Sequence, residues 1–408
     1  MTVDASSTDD STVGAGEELL AIEAAVAAAE SVLAHRFGSA ITLVDAEELA
    51  GSGPAVVVRA RVSSSPFALP RTLVIKHYPG APGAGEADPF AQEAASYQLF
   101  TALPPDDRTC PELLAHDAGQ RVLVIEDLGR APTLEDKLCG SDARAAETAL
   151  LSWARSLGRL HFSTASREAD FNALLRRLGG RARNVEGSGS RTGVGDSTDT
   201  TPVVACAQLP TLLQETLGVT TSEPARAAAE RAAEQSRSAS YRAFSPVDLW
   251  PDNNLVTAEG VRFLDFERGR VRSALVDAAH LRVPFATSPG ALALPPGMSE
   301  AMVAAWRAEV AELWPALADD DELSAHLLDA ELLLVWLTTW ELLPTLAGVR
   351  EAARTSRPAA LVTRWRELSV HAERDGDADV AEHAAAVAAA LDARFGPGLE
   401  LALYPAFR

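Results

Sequence analysis

Three polar side chains in one short stretch of the sequence are of the types that carry phosphoryl transfer. Asp248 follows a short strand, Asn253 lies five residues later, and Asp265 ends the apolar run VRFLD. Phosphoryl transfer from Mg-ATP needs a carboxylate beside the acceptor hydroxyl, and an amide and a second carboxylate for the metal. A β-hairpin between Asn253 and Asp265 would bring them to one point. The alternative is a turn in which Asp and Asn side chains cap their own backbone.

A lone lysine in an apolar strand is the second candidate. Lys76 lies in TLVIKHY, the third of three β-rich runs, and is one of only two lysines in the chain. A lysine buried there costs several kcal/mol, by rough estimate, unless an anion pairs with it. Glu93, on the helix predicted to follow, is the natural partner. The alternative is a lysine on an edge strand whose ammonium group reaches solvent.

The glycine pattern between the first two strands is weaker. Gly51, Ser52 and Gly53 could cover phosphate groups, but G-x-G-x-x-G is absent, and an ordinary hairpin turn explains them as well. No G-x-x-x-x-G-K-[ST] motif occurs, which excludes a P-loop enzyme. The apolar strand RVLVIE leads into Glu126 and Leu128, where backbone groups could pair with the edge of an adenine.

The elements that must position these residues change in character near residue 129. Before it, the pattern predicts a helix over 17–37, strands within 40–79, a helix from Pro89 and two further strands. After it, helical patterns dominate, with a strand–turn–strand island around Asp248. The sequence therefore predicts an α+β fold with a small β-rich N-terminal lobe and a large, mainly helical C-terminal lobe.

Domain limits follow from the same pattern. Residues 1–16 are polar and are predicted to form a disordered tail, and 17–128 to form the first lobe with its leading helix. Residues 129–408 are predicted to form the helical lobe, within which the glycine-rich stretch 181–202 is a flexible insertion.

Composition limits the class of partner. The 408 residues include 57 acidic and 36 basic ones, a net charge of −21. Nucleic acids and anionic lipids both require clustered Lys and Arg, so neither is expected as a partner. A neutral, cationic or metal-chelated ligand fits this charge better.

Targeting signals are not evident in the sequence. The polar, acidic N-terminus is unlike a signal peptide, and no apolar run approaches the length of a membrane span. The three cysteines form no C-x-x-C motif, which disfavours a disulfide framework or a cysteine-based zinc site. These features favour the cytoplasm.

Taken in this order, the motifs resemble those of the aminoglycoside phosphotransferase/choline kinase-like family, which has a bilobal protein-kinase-like fold. The resemblance covers roughly residues 40–285. It depends on Lys76, Glu93, the segment 126–129, LGRLH (157–161), VDLWPDNNL (247–255), FLDFE (263–267) and DAAHL (277–281).

The resemblance implies a role for each candidate. Asp248 orients or deprotonates the acceptor hydroxyl, and Asn253 and Asp265 bind Mg²⁺. Lys76, positioned by Glu93, holds the phosphates of ATP, so that the first lobe binds the nucleotide. The implied activity is ATP- and Mg²⁺-dependent phosphorylation of a hydroxyl group on a small molecule, for which a cationic acceptor would suit the acidic chain.

The catalytic loop departs from the family pattern. Pro246 stands where the family usually has a histidine that braces the loop, and Val247 stands where it has a glycine. Trp250 and Asp252 likewise replace a more usual histidine and glycine. Valine avoids positive φ and proline lacks an N–H, which predicts a loop braced in another way. Two alternatives therefore stay open: a nucleotide-binding pseudokinase or regulatory module without turnover, and a helical interaction protein with no ligand.

Overall fold

The computed structural model describes residues 10–49, 51, 53–65, 67–83, 87–179, 201–285, 288, 290–348 and 357–408. These residues form two compact units. The first contains the described residues up to Arg130 together with 173–179, and the second contains 131–172 and the described residues from 201 onward. The fold is α+β, as the sequence predicts.

The first unit is built on one antiparallel sheet with the strand order β1-β2-β3-β5-β4. The strands are Thr42–Glu48 (β1), Val56–Ser64 (β2), Thr72–His77 (β3), Leu113–Asp117 (β4) and Val122–Glu126 (β5). All five were predicted. Lys76 pairs with Val57 on β2 and with Leu123 on β5, so it lies on a central strand. The edge-strand alternative for this lysine is therefore wrong.

Two helices pack in the first unit, Asp10–Phe37 (α1) and Pro89–Thr101 (α2). Apolar residues of α1, such as Leu33, share one buried cluster with Leu73 and Ile75 of β3. Because side chains alternate along a strand, Lys76 points to the other face of the sheet. Helix α1 begins at Asp10, inside the stretch 1–16 that was predicted to be disordered. The helix reaches this far because extending a helix that has already formed costs less free energy than starting one. Residues 1–9 lie outside the described residues.

Helices form most of the second unit. They are Leu134–Cys139 (α3), Ala143–Thr164 (α4), Glu168–Arg177 (α5), whose last turns belong to the first unit, Thr201–Leu217 (α6), Glu223–Ser236 (α7), Ala274–Arg282 (α8), Met298–Val310 (α9), Asp320–Gly348 (α10), Arg357–Arg374 (α11) and Ala378–Phe395 (α12). The predicted insertion 181–202 lies outside the described residues up to 200. Its last two residues begin α6, and Pro202 is buried there.

Four short strands interrupt these helices and form two separate antiparallel pairs. They are Arg242–Ser245 (β6), Asn254–Thr257 (β7), Gly260–Phe263 (β8) and Arg270–Ser273 (β9). The hairpin β7–β8 matches the predicted island, whereas β9, which pairs with β6, was not predicted. Its four residues carry two arginines and its partner lies far away in the sequence, so no local pattern marks it.

A close helix crossing lies in the second unit. A Cβ atom on Gly158 of α4 would lie 2.7 Å from Glu309 Cβ and 2.9 Å from Trp306 O, both on α9. No real Cβ contact is that short, so glycine is required for the two helices to approach. The glycine of the LGRLH motif therefore serves packing.

None of the helices in the described part of the chain is long and apolar enough to cross a membrane.

Candidate active site

The predicted ion pair between Lys76 and Glu93 is present in the first unit. Lys76 Nζ lies 2.5 Å from Glu93 Oε1, and the two side chains are 9% and 0% exposed. The hydroxyl of Tyr78, which directly follows β3, donates to Glu93 Oε2. Both carboxylate oxygens of Glu93 are thus engaged, which sets the position of the Lys76 ammonium group relative to the sheet.

A set of contacts between Asp88 and Arg121 holds the start of α2 against the sheet. Asp88 caps the helix by accepting from Phe90 N, and it forms two 2.9 Å bonds with the Arg121 guanidinium. Arg121 Nε also donates to Tyr78 O, at 3.2 Å, and the guanidinium stacks over the Phe90 ring. The contacts between Asp88 and Arg121 therefore set the distance between β3 and α2, and with it the distance between Lys76 and Glu93.

Replacing Glu93 by glutamine is expected to destabilise the first unit by about 3 kcal/mol, because the buried Lys76 charge loses its counter-charge. Hydrogen exchange of β3 and α2 peptides, followed by mass spectrometry, measures this effect locally. All seven tryptophans lie in the second unit, so tryptophan fluorescence would not report it.

Glu47→Gln is the matched control, since Glu47 pairs with Arg130 in the same unit but both side chains are at least half exposed. Exposed pairs contribute little to stability. Equal exchange rates in the Glu93 and Glu47 variants would contradict the prediction.

The segment after β5 is held by a buried carboxylate. Asp127 accepts two 2.9 Å bonds from Arg59 on β2 and a third from Gly129 N. Burial acts to raise the pKa of Asp127, but the hydrogen bonds from Arg59, Thr72 and Gly129 outweigh it and hold the pKa below its ordinary value. The backbone of this segment is therefore held in one conformation.

Two residues of this segment were predicted to contact the nucleotide. The N–H of Glu126 donates to Glu112 O at 2.8 Å, and the Glu126 carboxylate accepts from Glu112 N. Within the described residues, Leu128 has no hydrogen bond to either of its backbone groups. Leu128 is thus the better placed of the two to pair with a base edge, and its contact with a nucleotide stays a prediction.

The predicted glycine loop is only partly described. Gly51 and Gly53 are exposed between β1 and β2, and Ser52 lies outside the described residues. A Cβ atom on Gly51 would meet only Val57 Cγ2, at 3.9 Å, an ordinary contact. No contact with a described residue requires glycine at position 51, and a role of this loop with phosphate stays a prediction.

In the second unit, Asp248 follows a residue with an unusual backbone conformation. Val247 has φ +68°, in the left-handed region that branched side chains rarely adopt. The expectation that valine would avoid positive φ is wrong. The N–H of Val247 donates to Ser245 Oγ at 3.0 Å, and its side chain is buried. These contacts hold the backbone angle for which glycine is the usual residue.

The loop is braced by a buried carboxylate on α8, in place of the missing histidine. Ser245 Oγ donates to Asp277 Oδ1 at 2.8 Å, and Arg272 Nε donates to the same oxygen at 3.0 Å. Burial acts to raise the pKa of Asp277, but Arg272, His161 and Ser245 outweigh it and hold the pKa far below its ordinary value. The predicted alternative bracing is thus present.

The second oxygen of Asp277 ties the loop to helices α4 and α9. His161 Nε2 lies 3.1 Å from Asp277 Oδ2, and Trp306 Nε1 donates to His161 Nδ1 at 3.0 Å. An indole can only donate, so Nδ1 accepts and the Nε2–H donates to Asp277. All three side chains are buried, so His161 serves to position the loop.

The β7–β8 hairpin brings the backbones of the two predicted metal ligands together. Asn254 pairs with Phe263, and Leu264 N donates to Asn253 O at 2.8 Å. Asp265, the next residue, has φ +60°, also in the left-handed region. The side chain of Asn254 donates to Trp250 O and so closes the turn from Trp250 to Asn254.

Asp248 is partly buried, and its surroundings raise the pKa of its carboxyl group. Its Oδ1 is buried and has no hydrogen-bond partner in the described part of the chain. Burial, opposed by the Arg268 charge and assisted by Asp265 and Asp252, raises its pKa to about 6. A buried acceptor without a donor costs free energy, and a hydroxyl group bound there would supply the donor.

Two of the predicted residues carry side-chain oxygens of the kind that bind Mg²⁺. Asn253 and Asp265 offer oxygen ligands, which Mg²⁺ prefers, and the ion completes its shell with phosphate oxygens and water. A metal cage of protein carboxylates alone is not available, since no group of three His, Cys, Asp or Glu side chains with metal-binding geometry occurs among the described residues.

Several residues of the site were not found from the sequence. Tyr78, Ser245, Arg272 and Asn254 hold the predicted residues in place, but nothing local marks them. Asp277 stood in the DAAHL motif without an assigned role. Its partners His161 and Ser245 lie 116 and 32 residues away, so only the folded chain shows the contact.

Comparison with known proteins gives structural similarities only. No protein-family model and no curated protein matches the sequence. Choline kinase LicA from Streptococcus pneumoniae is 14% identical, with 81% of this chain and 98% of that chain covered and a TM-score of 0.41. A choline/ethanolamine kinase family protein from Mesorhizobium loti is 15% identical, with 85% and 93% covered and a TM-score of 0.43.

A third structure is a thermostable mutant of aminoglycoside phosphotransferase APH(4)-Ia, in a ternary complex with AMP-PNP and hygromycin B. It is 14% identical, with 88% of this chain and 98% of that chain covered and a TM-score of 0.43. The three structures are similar to this chain in fold, at identities of 14–15%.

Proposed function

We propose that this protein transfers the γ-phosphoryl group of ATP to a hydroxyl group on a small molecule. The observation that carries the proposal is Asp248, whose buried Oδ1 lacks a donor and whose pKa is raised to about 6. A general base functions best with a pKa near the working pH. Two further observations support it: Lys76 is paired with Glu93 in the first unit, and the backbone of Asn253 is bonded to Leu264, the residue before Asp265.

Each residue has a defined task in this proposal. Asp248 Oδ1 accepts a hydrogen bond from the acceptor hydroxyl, orients its oxygen and takes its proton. Lys76, fixed by Glu93, binds phosphate oxygens of ATP, and Leu128 binds the base through its backbone. Asn253 and Asp265 hold Mg²⁺, which supplies charge neutralisation for the phosphates when bound.

The test combines binding and turnover. Isothermal titration with Mg-ATP should show saturable binding that requires Mg²⁺ and is weakened in Asp265→Asn. Phosphorus NMR should show ADP formed together with a phosphomonoester for at least one member of a panel of amino alcohols, sugars and aminoglycosides. An absence of binding would refute the proposal.

A nucleotide-binding module without turnover is the second candidate, and the Pro246-Val247 substitution favours it. It predicts Mg-ATP binding without ADP formation for any acceptor. The braced loop, in which Ser245 and Asp277 replace the missing histidine, favours the enzyme.

We infer the cytoplasm as the place of action. None of the three cysteines stands in a C-x-x-C motif, which suits a reducing compartment that also supplies ATP.

Turnover is expected to depend on pH through Asp248. Its pKa in the folded protein is raised to about 6, so the carboxyl group carries a proton below that pH and cannot accept one from the hydroxyl. The value of kcat/KM should therefore rise about tenfold per pH unit below pH 6 and level off above it. A profile of initial rates from pH 4.5 to 8.5 at saturating Mg²⁺ measures this. A flat profile between pH 5 and 7 would contradict it.

A further inference from the structure

One arginine next to the catalytic loop has no partner in the described residues. Arg268 lies in the turn before β9, where Gly269 N donates to Phe266 O at 2.9 Å. Strand β9 begins at Arg270, which pairs with Ser245, the last residue of β6. The turn that carries Arg268 and the loop that carries Asp248 therefore leave the same end of this strand pair.

The charge of Arg268 acts on two carboxylates. After burial, it has the largest influence on Asp248, whose pKa it lowers, and it also lowers the pKa of Glu341 on α10 against the effect of burial. The side chain is exposed, and it makes neither a hydrogen bond nor an ion pair with any described residue. Its five N–H donors are thus available close to Asp248.

We propose that Arg268 is a catalytic arginine that binds the phosphoryl group during its transfer to the hydroxyl held by Asp248. This inference rests on the proposed function. The planar guanidinium fork matches two phosphoryl oxygens, whereas an ammonium group offers only a point charge. Its place beside Asp248 is also where the phosphoryl group must arrive, because Asp248 holds the attacking oxygen.

The step balances as an in-line displacement. The acceptor oxygen forms a bond to the γ-phosphorus, the bond between that phosphorus and the β,γ-bridging oxygen breaks, and its electron pair leaves with ADP. The hydroxyl proton moves to Asp248. Negative charge spreads over the three equatorial oxygens during transfer, and Arg268 donates hydrogen bonds to these oxygens.

The experiment compares wild type with Arg268→Ala, Arg268→Lys and a control, Arg226→Ala. Arg226 is exposed on α7, where its ion pairs are with Glu223 and Glu230, neighbours on its own helix. Titration calorimetry measures the affinity for Mg-ADP alone and for Mg-ADP with aluminium fluoride, which mimics the phosphoryl group in flight. Initial rates are measured with an acceptor that the wild-type protein phosphorylates.

Arg268→Ala should lower kcat by about 10³-fold or more, as for other arginines that contact a transferring phosphoryl group. It should abolish the gain in affinity that fluoride gives while the affinity for Mg-ADP stays unchanged. Arg268→Lys should recover only a small part of either loss, and Arg226→Ala should match wild type.

Three results would overturn the assignment and leave the proposed function intact. A fall in kcat of less than about tenfold in Arg268→Ala, or an unchanged fluoride effect, would show that Arg268 does not contact the phosphoryl group. Full recovery by Arg268→Lys would show that only its charge acts on Asp248. A fourth result, wild type that binds no Mg-ADP, would refute the proposed function and the assignment with it.

Discussion

Asp248→Asn is expected to lower phosphoryl transfer by about 10²–10⁴-fold and to leave Mg-ATP binding almost unchanged. An amide keeps the shape of the carboxylate but cannot take a proton. Asp248 faces the acceptor hydroxyl in the proposed function and does not hold the nucleotide, so its loss affects the transition state only. Calorimetry gives the affinity for Mg-ATP, and a coupled ADP assay gives kcat.

Asp265→Asn is the comparison that makes this result specific. Asp265 is proposed to hold Mg²⁺, so its loss should weaken nucleotide binding and turnover together. The two variants should therefore differ in the binding assay while both fail in the rate assay. Wild-type turnover in Asp248→Asn, measured with a confirmed acceptor, would refute the role of Asp248 and the kinase interpretation of its loop.

Asp277→Ala is expected to destabilise the second unit by about 3–5 kcal/mol, the range for breaking a buried ion pair from one side. Asp277 is fully buried, and its removal leaves the Arg272 charge without its partner and the hydroxyl of Ser245 without its acceptor. The Nε2–H of His161 is left unpaired as well. Urea unfolding followed by tryptophan fluorescence measures the loss, because Trp306 donates to His161 inside the same network.

Asp320→Ala is the matched control. Asp320 also pairs with an arginine, Arg307, in the second unit, but its side chain is 88% exposed. Exposed pairs contribute little, so the unfolding midpoint should hardly move. Equal midpoints for Asp277→Ala and wild type would show that the network does not stabilise the unit, and that the loop is held by other contacts.

Local sequence patterns were sufficient to predict much of the secondary structure and several of the contacts at the candidate site. The alternation of apolar residues predicted all five strands of the first sheet, and a lone lysine in an apolar strand predicted its pairing with Glu93. The spacing from Asn253 to Asp265, with a hairpin between them, predicted that the two backbones meet. These inferences succeeded because each depends on chain periodicity, or on the free energy of one buried charge, over a short stretch of chain.

Other features were decided by tertiary structure. The local preference of valine opposes positive φ, yet Val247 adopts it because Ser245 binds its N–H and the surrounding core buries its side chain. Strand β9 exists because β6 lies beside it, and α1 extends to Asp10 because its packed part already forms a helix.

The sequence by itself therefore determined which residues are candidates for the chemistry and which elements hold them. Tertiary structure decided how the loop that carries Asp248 is braced, since Asp277 takes donors from Ser245, Arg272 and His161, which reach it from different elements. It also placed Arg268 close to Asp248, because the strand pair β6–β9 joins segments that are distant in the chain. Local patterns record backbone preference and burial, whereas contacts between distant residues depend on how the elements pack.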